Sequence, residues 1–319
     1  MNDSKITSIT LLRAIAALLV CFVHIQIFSK IQISPRTDEM IDNGRHGVEI
    51  FFVISGFILP YSLYKKNYAL KDFFSFLLRR SARIDPPYWC IIALSIFAGV
   101  IPVSIVSFKS VALRVLYLVP FSKDTSWYLG SFWTLSVEFQ FYLLLGVFFP
   151  FLMRINTNIS VIILMILTMI CLRINTPFHG VIIEQMHCFS IGFIAFMTYV
   201  RKISLTRGLA VLLVLSAYLM IAISIKTGAI PLLPAIFILF YKGQYKFQPL
   251  YFLGNISYSL YLIHMPVTLF LVQKFSSSFA NKPVLCLACL FASILLAYVF
   301  YLLVERYAIK LSKVIGMSR

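Results

Sequence analysis

The 21 residues from Val284 to Val304 carry no charged side chain and do not alternate in polarity. An α-helix rises about 1.5 Å per residue, so such a run crosses the roughly 30 Å hydrocarbon core of a bilayer in one pass. Strands of a transmembrane barrel would need polar and apolar residues to alternate over segments of about ten. Neither this run nor Ile159 to Met169 does so. Helices are then the remaining way to satisfy every backbone polar group in lipid. With 61% hydrophobic and 12% charged residues, 30 Phe and 17 Tyr, and a mean hydropathy of +0.92, the chain has more apolar surface than one aqueous core can bury. A soluble protein is excluded, and an all-α, polytopic membrane helix bundle is predicted.

Ten spanning helices are expected at about 6–29, 47–64, 84–107, 132–153, 157–173, 182–201, 208–226, 229–241, 250–273 and 283–309. The apolar stretch Val111 to Phe121 is too short to cross and reads as a re-entrant or interfacial piece. A net charge of +17 would suggest nucleic acid in a soluble domain, but the 28 Lys and Arg lie in short clusters between the spans. With the N-terminus inside, seventeen basic residues fall on the inner side, six of them in 65–83, against ten on the outer side with Asp38, Glu39, Asp42 and Asp124. The positive-inside rule therefore predicts cytoplasmic termini. The apolar run after Lys5 contains Arg13 and ends without a small-residue cleavage site, so it is expected to stay as the first helix. Residues 1–319 read as one transmembrane domain without a fused soluble domain. Cys21, Cys90, Cys171, Cys188, Cys286 and Cys289 all fall in spans or at their ends. Even Cys286 and Cys289, which share a helix face, read as packing residues, and no metal is expected.

Ionisable groups inside a bilayer are costly and mark functional sites by default. The first helix holds Arg13 and His24, eleven residues and thus about 16 Å apart along the axis and within about 20° of one face. A single interior groove could hold both; snorkelling of each to its own headgroup layer is the structural alternative. Glu138 is expected at a depth matching His24, where a carboxylate could fix the tautomer of a general base. Glu49, at the outer start of the second span, competes for that role, and an interhelical hydrogen bond without catalysis is the other reading of Glu138. The inner loop carries Lys65, Lys66, Lys71, Arg79, Arg80 and Arg83 just before Tyr88 and Trp89. It is either a lipid anchor or, with Arg80 and Arg83 one turn apart, a grip for the phosphates of a cytoplasmic donor.

Several of these segments resemble the acyltransferase-3 membrane family. They are Arg13 with His24 eleven residues on, the run Gly47-Val48-Glu49-Ile50-Phe51-Phe52-Val53-Ile54-Ser55-Gly56-Phe57, and Arg80-x-x-Arg83 before Pro87-Tyr88-Trp89. Phe132-Trp133 through Ser136-Val137-Glu138 to Tyr142 belongs with them, as does Ile256-Ser257-Tyr258-Ser259-Leu260-Tyr261-Leu262-Ile263-His264-Met265-Pro266. The resemblance covers essentially the whole chain. It implies transfer of an acyl group, usually acetyl from acetyl-CoA, to a sugar hydroxyl of a surface polysaccharide or lipid-linked glycan of the cell envelope, by a multi-pass protein of the bacterial inner membrane. It also implies essential roles for Arg13 and His24 and places the paired arginines on the CoA side. Glu49 stands where many relatives have Asp.

Together these readings predict that CoA phosphates dock on Arg80 and Arg83, with Arg79, Tyr88 and Trp89 beside them, while Arg13 lies next to the mouth. His24, oriented by Glu138 or Glu49, would deprotonate the acceptor hydroxyl or carry the acyl group itself. Trp133, Ser136, Tyr258 and His264 are the candidate acceptor contacts, His264 being either a relay or a structural histidine. Membrane lipid is the surrounding partner and no nucleic acid is expected. The rival reading is a glycolipid transporter or flippase whose intramembrane charges form a substrate path, although no internal repeat is visible in the sequence.

Overall fold

Serine side chains open several of the helices: Ser34, Ser107, Ser204 and Ser224 each accept a hydrogen bond from a backbone N–H of the first turn. In the computed structural model, which describes residues 3–31, 34–177, 179–243, 247–275 and 282–315, helix is the regular structure and no strand occurs among the described residues. The elements are α1 (Asp3–Ser29), α2 (Pro35–Asp42), α3 (Gly47–Lys65), α4 (Phe73–Phe97), α5 (Phe108–Val115), α6 (Trp133–Arg154) and α7 (Thr157–Cys171). They continue with α8 (Met186–Tyr199), α9 (Leu205–Ala222), α10 (Ile225–Phe240), α11 (Gln248–Asn255), α12 (Ser257–Phe275), α13 (Lys282–Phe300) and α14 (Arg306–Val314). A π-helical segment, Tyr301–Glu305, joins the last two.

Among the described residues, five stretches are long and apolar enough to span a membrane: Thr7–Ser29, Pro35–Lys65, Gly130–Arg154, Leu205–Ala222 and Lys282–Val314. A sixth is reached if α11 and α12, bent by 77° at Ile256, count as one. The expected ten are not reached by that measure, for local reasons. α4 begins at Phe73 and ends at Phe97 rather than running 84–107, because Pro86 and Pro87 sit inside the helix instead of starting it. It therefore carries Arg79, Arg80, Arg83 and Asp85, too many charges for an apolar span. α7, α8 and α10 have only 15, 14 and 16 residues. The short piece predicted at Val111 to Phe121 is α5, an eight-residue helix, followed by a single turn at Val119–Phe121.

α13 displays how the bundle meets its surroundings. Leu285, Cys289, Ser293 and Ala297 are buried, whereas Leu287, Phe291 and Leu295 on the opposite face are exposed. Small residues inside and large apolar ones outside invert the pattern of a water-soluble helix, as lipid solvation requires. α1 is the hub and packs on α3, α10, α11, α12 and α13. A close approach joins α3 to α8: a Cβ at Gly56 would lie 2.5 Å from the Phe189 carbonyl oxygen, and one at Gly192 2.3 Å from that of Val53. Only glycine allows those two backbones to touch.

Candidate active site

Helices α1, α3, α4, α6 and α12 enclose a cavity of about 550 Å³. Five cations line it, Arg13, Lys65, Lys66, Arg80 and Arg83, and Glu138 is the only carboxylate among its lining residues. Because α4 extends back to Phe73, Arg80 and Arg83 are one turn apart on a helix and not in a loop as expected. Arg80 is further held by its guanidinium over the Phe76 ring, 5.7 Å from the centroid. Beyond the end of α3, burial and the neighbouring Arg79 and Arg80 push the Lys66 ammonium below its ordinary range. The cluster repels itself and is short of negative charge.

Glu138 belongs to this cluster and not to His24. Its Oε1 accepts from Ser55 Oγ at 3.0 Å, Tyr142 one turn along α6 hydrogen-bonds to it, and its charge acts on Arg13 and Arg80. Matching depth was a sound reading of helix rise, but it does not fix the direction in which α6 turns its side chain. α6 packs on α3 and α4, and Glu138 follows that contact. A second cavity, of about 350 Å³, shares Arg13 and Arg83 with the first and is lined on its far side by Glu305. Glu305 is buried at the end of the π segment and accepts from the Ser259 backbone N–H at 3.1 Å and from the Ser259 hydroxyl.

The partner of His24 is His264: Nδ1 of the first lies 3.1 Å from Nε2 of the second. His24 Nδ1 also lies 2.9 Å from the Val20 carbonyl oxygen, and His264 Nδ1 lies 3.1 Å from that of Leu260. A carbonyl only accepts, so each neutral ring carries its proton on Nδ1. His264 Nε2 then presents its lone pair to the His24 Nδ1–H, and His24 Nε2 is left as a base. This is the arrangement of an oriented general base with an imidazole where a carboxylate was expected. Tyr261, which lines the 550 Å³ cavity, stands between: its ring centroid is 5.7 Å from that of His264. Its hydroxyl donates to the Ser131 carbonyl at 2.7 Å.

The family model described as the acyltransferase domain matches residues 6–302. The chain belongs to the acyltransferase-3 family. Comparison with curated proteins and with solved structures found no match. Membership assigns the protein to membrane acyl transfer and makes the cavity and the histidine pair the places to look for it.

In this acyltransferase-3 chain the other predicted residues separate into two groups. Tyr258 lines the cavity and donates its hydroxyl to the Ile84 carbonyl at 2.8 Å. Tyr88, expected beside the donor, is instead core: fully buried, stacked on Tyr117 and donating to the Arg114 carbonyl. Trp89 is 45% exposed, and neither it nor Arg79 lines the cavity. Ser136 is buried and donates to the Tyr117 carbonyl, while Trp133 packs on Phe52 and His179. Glu49 is bonded to His46 at 2.8 Å and faces His187 and Cys188. All six cysteines are free, and Cys286 Sγ meets Ser29 Oγ at 3.2 Å. Glu305 escaped the sequence reading although the rule that singled out Arg13 and Glu138 applies equally to an acid inside the 283–309 span.

Proposed function

We propose that the protein transfers an acyl group, acetyl in the first instance, from acyl-CoA to a sugar hydroxyl of a surface polysaccharide or lipid-linked glycan. The observation that carries this reading is the excess of cations over carboxylates in one deep cavity. A CoA polyphosphate would relieve that repulsion, and Arg80 and Arg83 present planar, charge-assisted donors to it. The acyl arm would then run along the cavity from Arg13 toward Tyr261, behind which lies the histidine pair. His24 Nε2 accepts the proton of the acceptor hydroxyl as its oxygen attacks the thioester carbonyl, the C–S bond breaks, and the CoA thiolate leaves and takes up that proton. His264 holds the His24 tautomer and stabilises the imidazolium that forms. Acyl transfer through His24 as a transient carrier uses the same residues.

The positive-inside count supports a donor mouth facing the cytoplasm of a bacterial inner membrane and an acceptor on the opposite side. Ser34→Cys in a cysteine-free chain should be labelled in intact cells by a membrane-impermeant thiol reagent, and Ser75→Cys should not. Purified protein in detergent should bind CoA and, given labelled acetyl-CoA and membranes of its host, move the label into glycan. Failure to bind CoA would favour the transporter reading. That alternative draws on the broken pair α11 and α12, but no second bent span matches it among the described residues.

A further inference from the structure

We propose that Glu49, His187 and Cys188 form a zinc-binding site between α3 and α8, outside the acyl-transfer cavity. A carboxylate oxygen, an imidazole nitrogen and a thiol sulfur lie there within 4.8 Å of one another. A triangle of that side puts each atom at most about 2.8 Å from a common centre, against zinc–ligand bonds of about 2.0–2.3 Å. Closing the site takes roughly half an ångström per ligand, which small side-chain torsions supply.

The same three residues hold most of the unexplained polarity in this part of the bundle. Glu49 Oε2 is buried without a hydrogen-bond partner, and His187, only 5% exposed, has no side-chain partner for either ring nitrogen. The Glu184 main chain lies within hydrogen-bonding reach of one His187 ring nitrogen, which leaves the other for a metal. Cys188 is fully buried, and its Sγ has only a long contact of 3.9 Å to Gln185 Oε1. Buried polar atoms left unpaired cost free energy and call for an explanation; a cation would satisfy Glu49 Oε2, one His187 ring nitrogen and the Cys188 sulfur together, each residue offering one ligand atom. His46 binds the other oxygen of Glu49 at 2.8 Å, so the carboxylate is already oriented with Oε2 toward the cluster, as partners of metal ligands do.

Packing fixes the separation of the ligands. Glu49 rides on α3, while His187 and Cys188 open α8, and the glycine contacts at Gly56 and Gly192 lock those helices backbone to backbone. Mixed O, N and S donors suit zinc and exclude magnesium and calcium, which take oxygen ligands. Three protein ligands leave a fourth position for water, and on binding the Cys188 thiol releases its proton to solvent. Nothing in the sequence announces such a site, because Glu49 and His187 stand 138 positions apart and share no ligand spacing.

The test uses the full chain in detergent, equilibrated with micromolar zinc and then desalted. Metal analysis should give about one equivalent, falling to about a tenth or less in His187→Ala and Cys188→Ala but unchanged in Cys286→Ala. Cobalt in place of zinc should give a thiolate-to-metal charge-transfer band that Cys188→Ser abolishes. Should the variants aggregate, zinc X-ray absorption of the unaltered protein decides, with one sulfur expected at about 2.3 Å. Retention of less than about a tenth of an equivalent by the unaltered chain, equal binding by the variants, or a zinc shell without sulfur would overturn the proposal. None of these readouts depends on acyl transfer.

Discussion

At Arg13 the first helix lines cavities with four other cations and two carboxylates, Glu138 and Glu305; eleven residues further on, at His24, it meets a second imidazole and a main-chain carbonyl. The first neighbourhood accumulates charge that its own acids do not cancel, the feature on which the proposed polyphosphate donor rests. The second has no carboxylate bonded to either ring among the described residues, and its two rings face each other Nδ1 to Nε2 with His24 Nε2 left outside the pair. On the proposed function, separating the two would let a single helix hold a polyanion at one level and serve proton transfer at another, with the acid beside the arginines kept away from the base. Each substitution below strikes one neighbourhood and asks whether the other notices.

Removing the base should have the largest effect. His24→Ala is expected to lower transfer by about 10²- to 10⁴-fold while CoA affinity, measured by calorimetry, stays near that of the unaltered protein. Transfer above about a tenth of normal would sink the catalytic role. Next come Arg80→Ala and Arg83→Ala. By the worth of a charge-assisted hydrogen bond, about 1.5–3 kcal/mol, each should weaken acetyl-CoA about tenfold to a hundredfold. The loss should be much smaller for acetyl-pantetheine, which lacks the nucleotide. Equal losses with both donors would instead make the arginines a lipid anchor.

His264 distinguishes a positioning role from packing. His264→Phe fills the space but removes the side-chain acceptor for the His24 Nδ1–H, leaving only the Val20 carbonyl, and should lower kcat about tenfold with the donor KM unchanged. His264→Gln, which restores an acceptor oxygen, should recover part of that loss. A packing role would predict the opposite order, with the aromatic replacement tolerated better than the amide.

The helical, membrane-embedded nature of the chain was legible from its apolar runs, and Arg13, His24 and Glu138 from their cost in lipid. What escaped was direction. Depth along a helix follows from counting, but azimuth depends on which neighbours pack, so Glu138 was paired with the wrong residue and His264 was left undecided. Tyr88 misled for a related reason: it adjoins Arg83 in sequence, yet α4 turns it toward Tyr117 and the core. The span was expected to begin at 84, whereas α4 runs back to Phe73 with Pro86 and Pro87 inside it, because a helix inside a bundle absorbs prolines that would break it in water. His187 also lay inside an expected span, where the same rule applied, but its grouping with Cys188 and Glu49 arises only once α3 lies against α8.

The smallest expected effect tests whether the cation excess is the cause of donor affinity or merely accompanies it. In the free protein Lys66 is held below the ordinary lysine range by burial and by Arg79 and Arg80. A bound polyphosphate would reverse that and favour the ammonium. Binding is therefore coupled to proton uptake: affinity is full below the lowered free-state pKa and weakens as pH rises through it. Because Lys66 is largely solvent-exposed, screening limits the change to about two- to fivefold in Kd. Lys66→Arg keeps its charge across the whole range and should flatten the alkaline decline without altering affinity at neutral pH. If the decline persists in that variant, the titrating group lies elsewhere in the cavity and Lys66 is a bystander to the arginines.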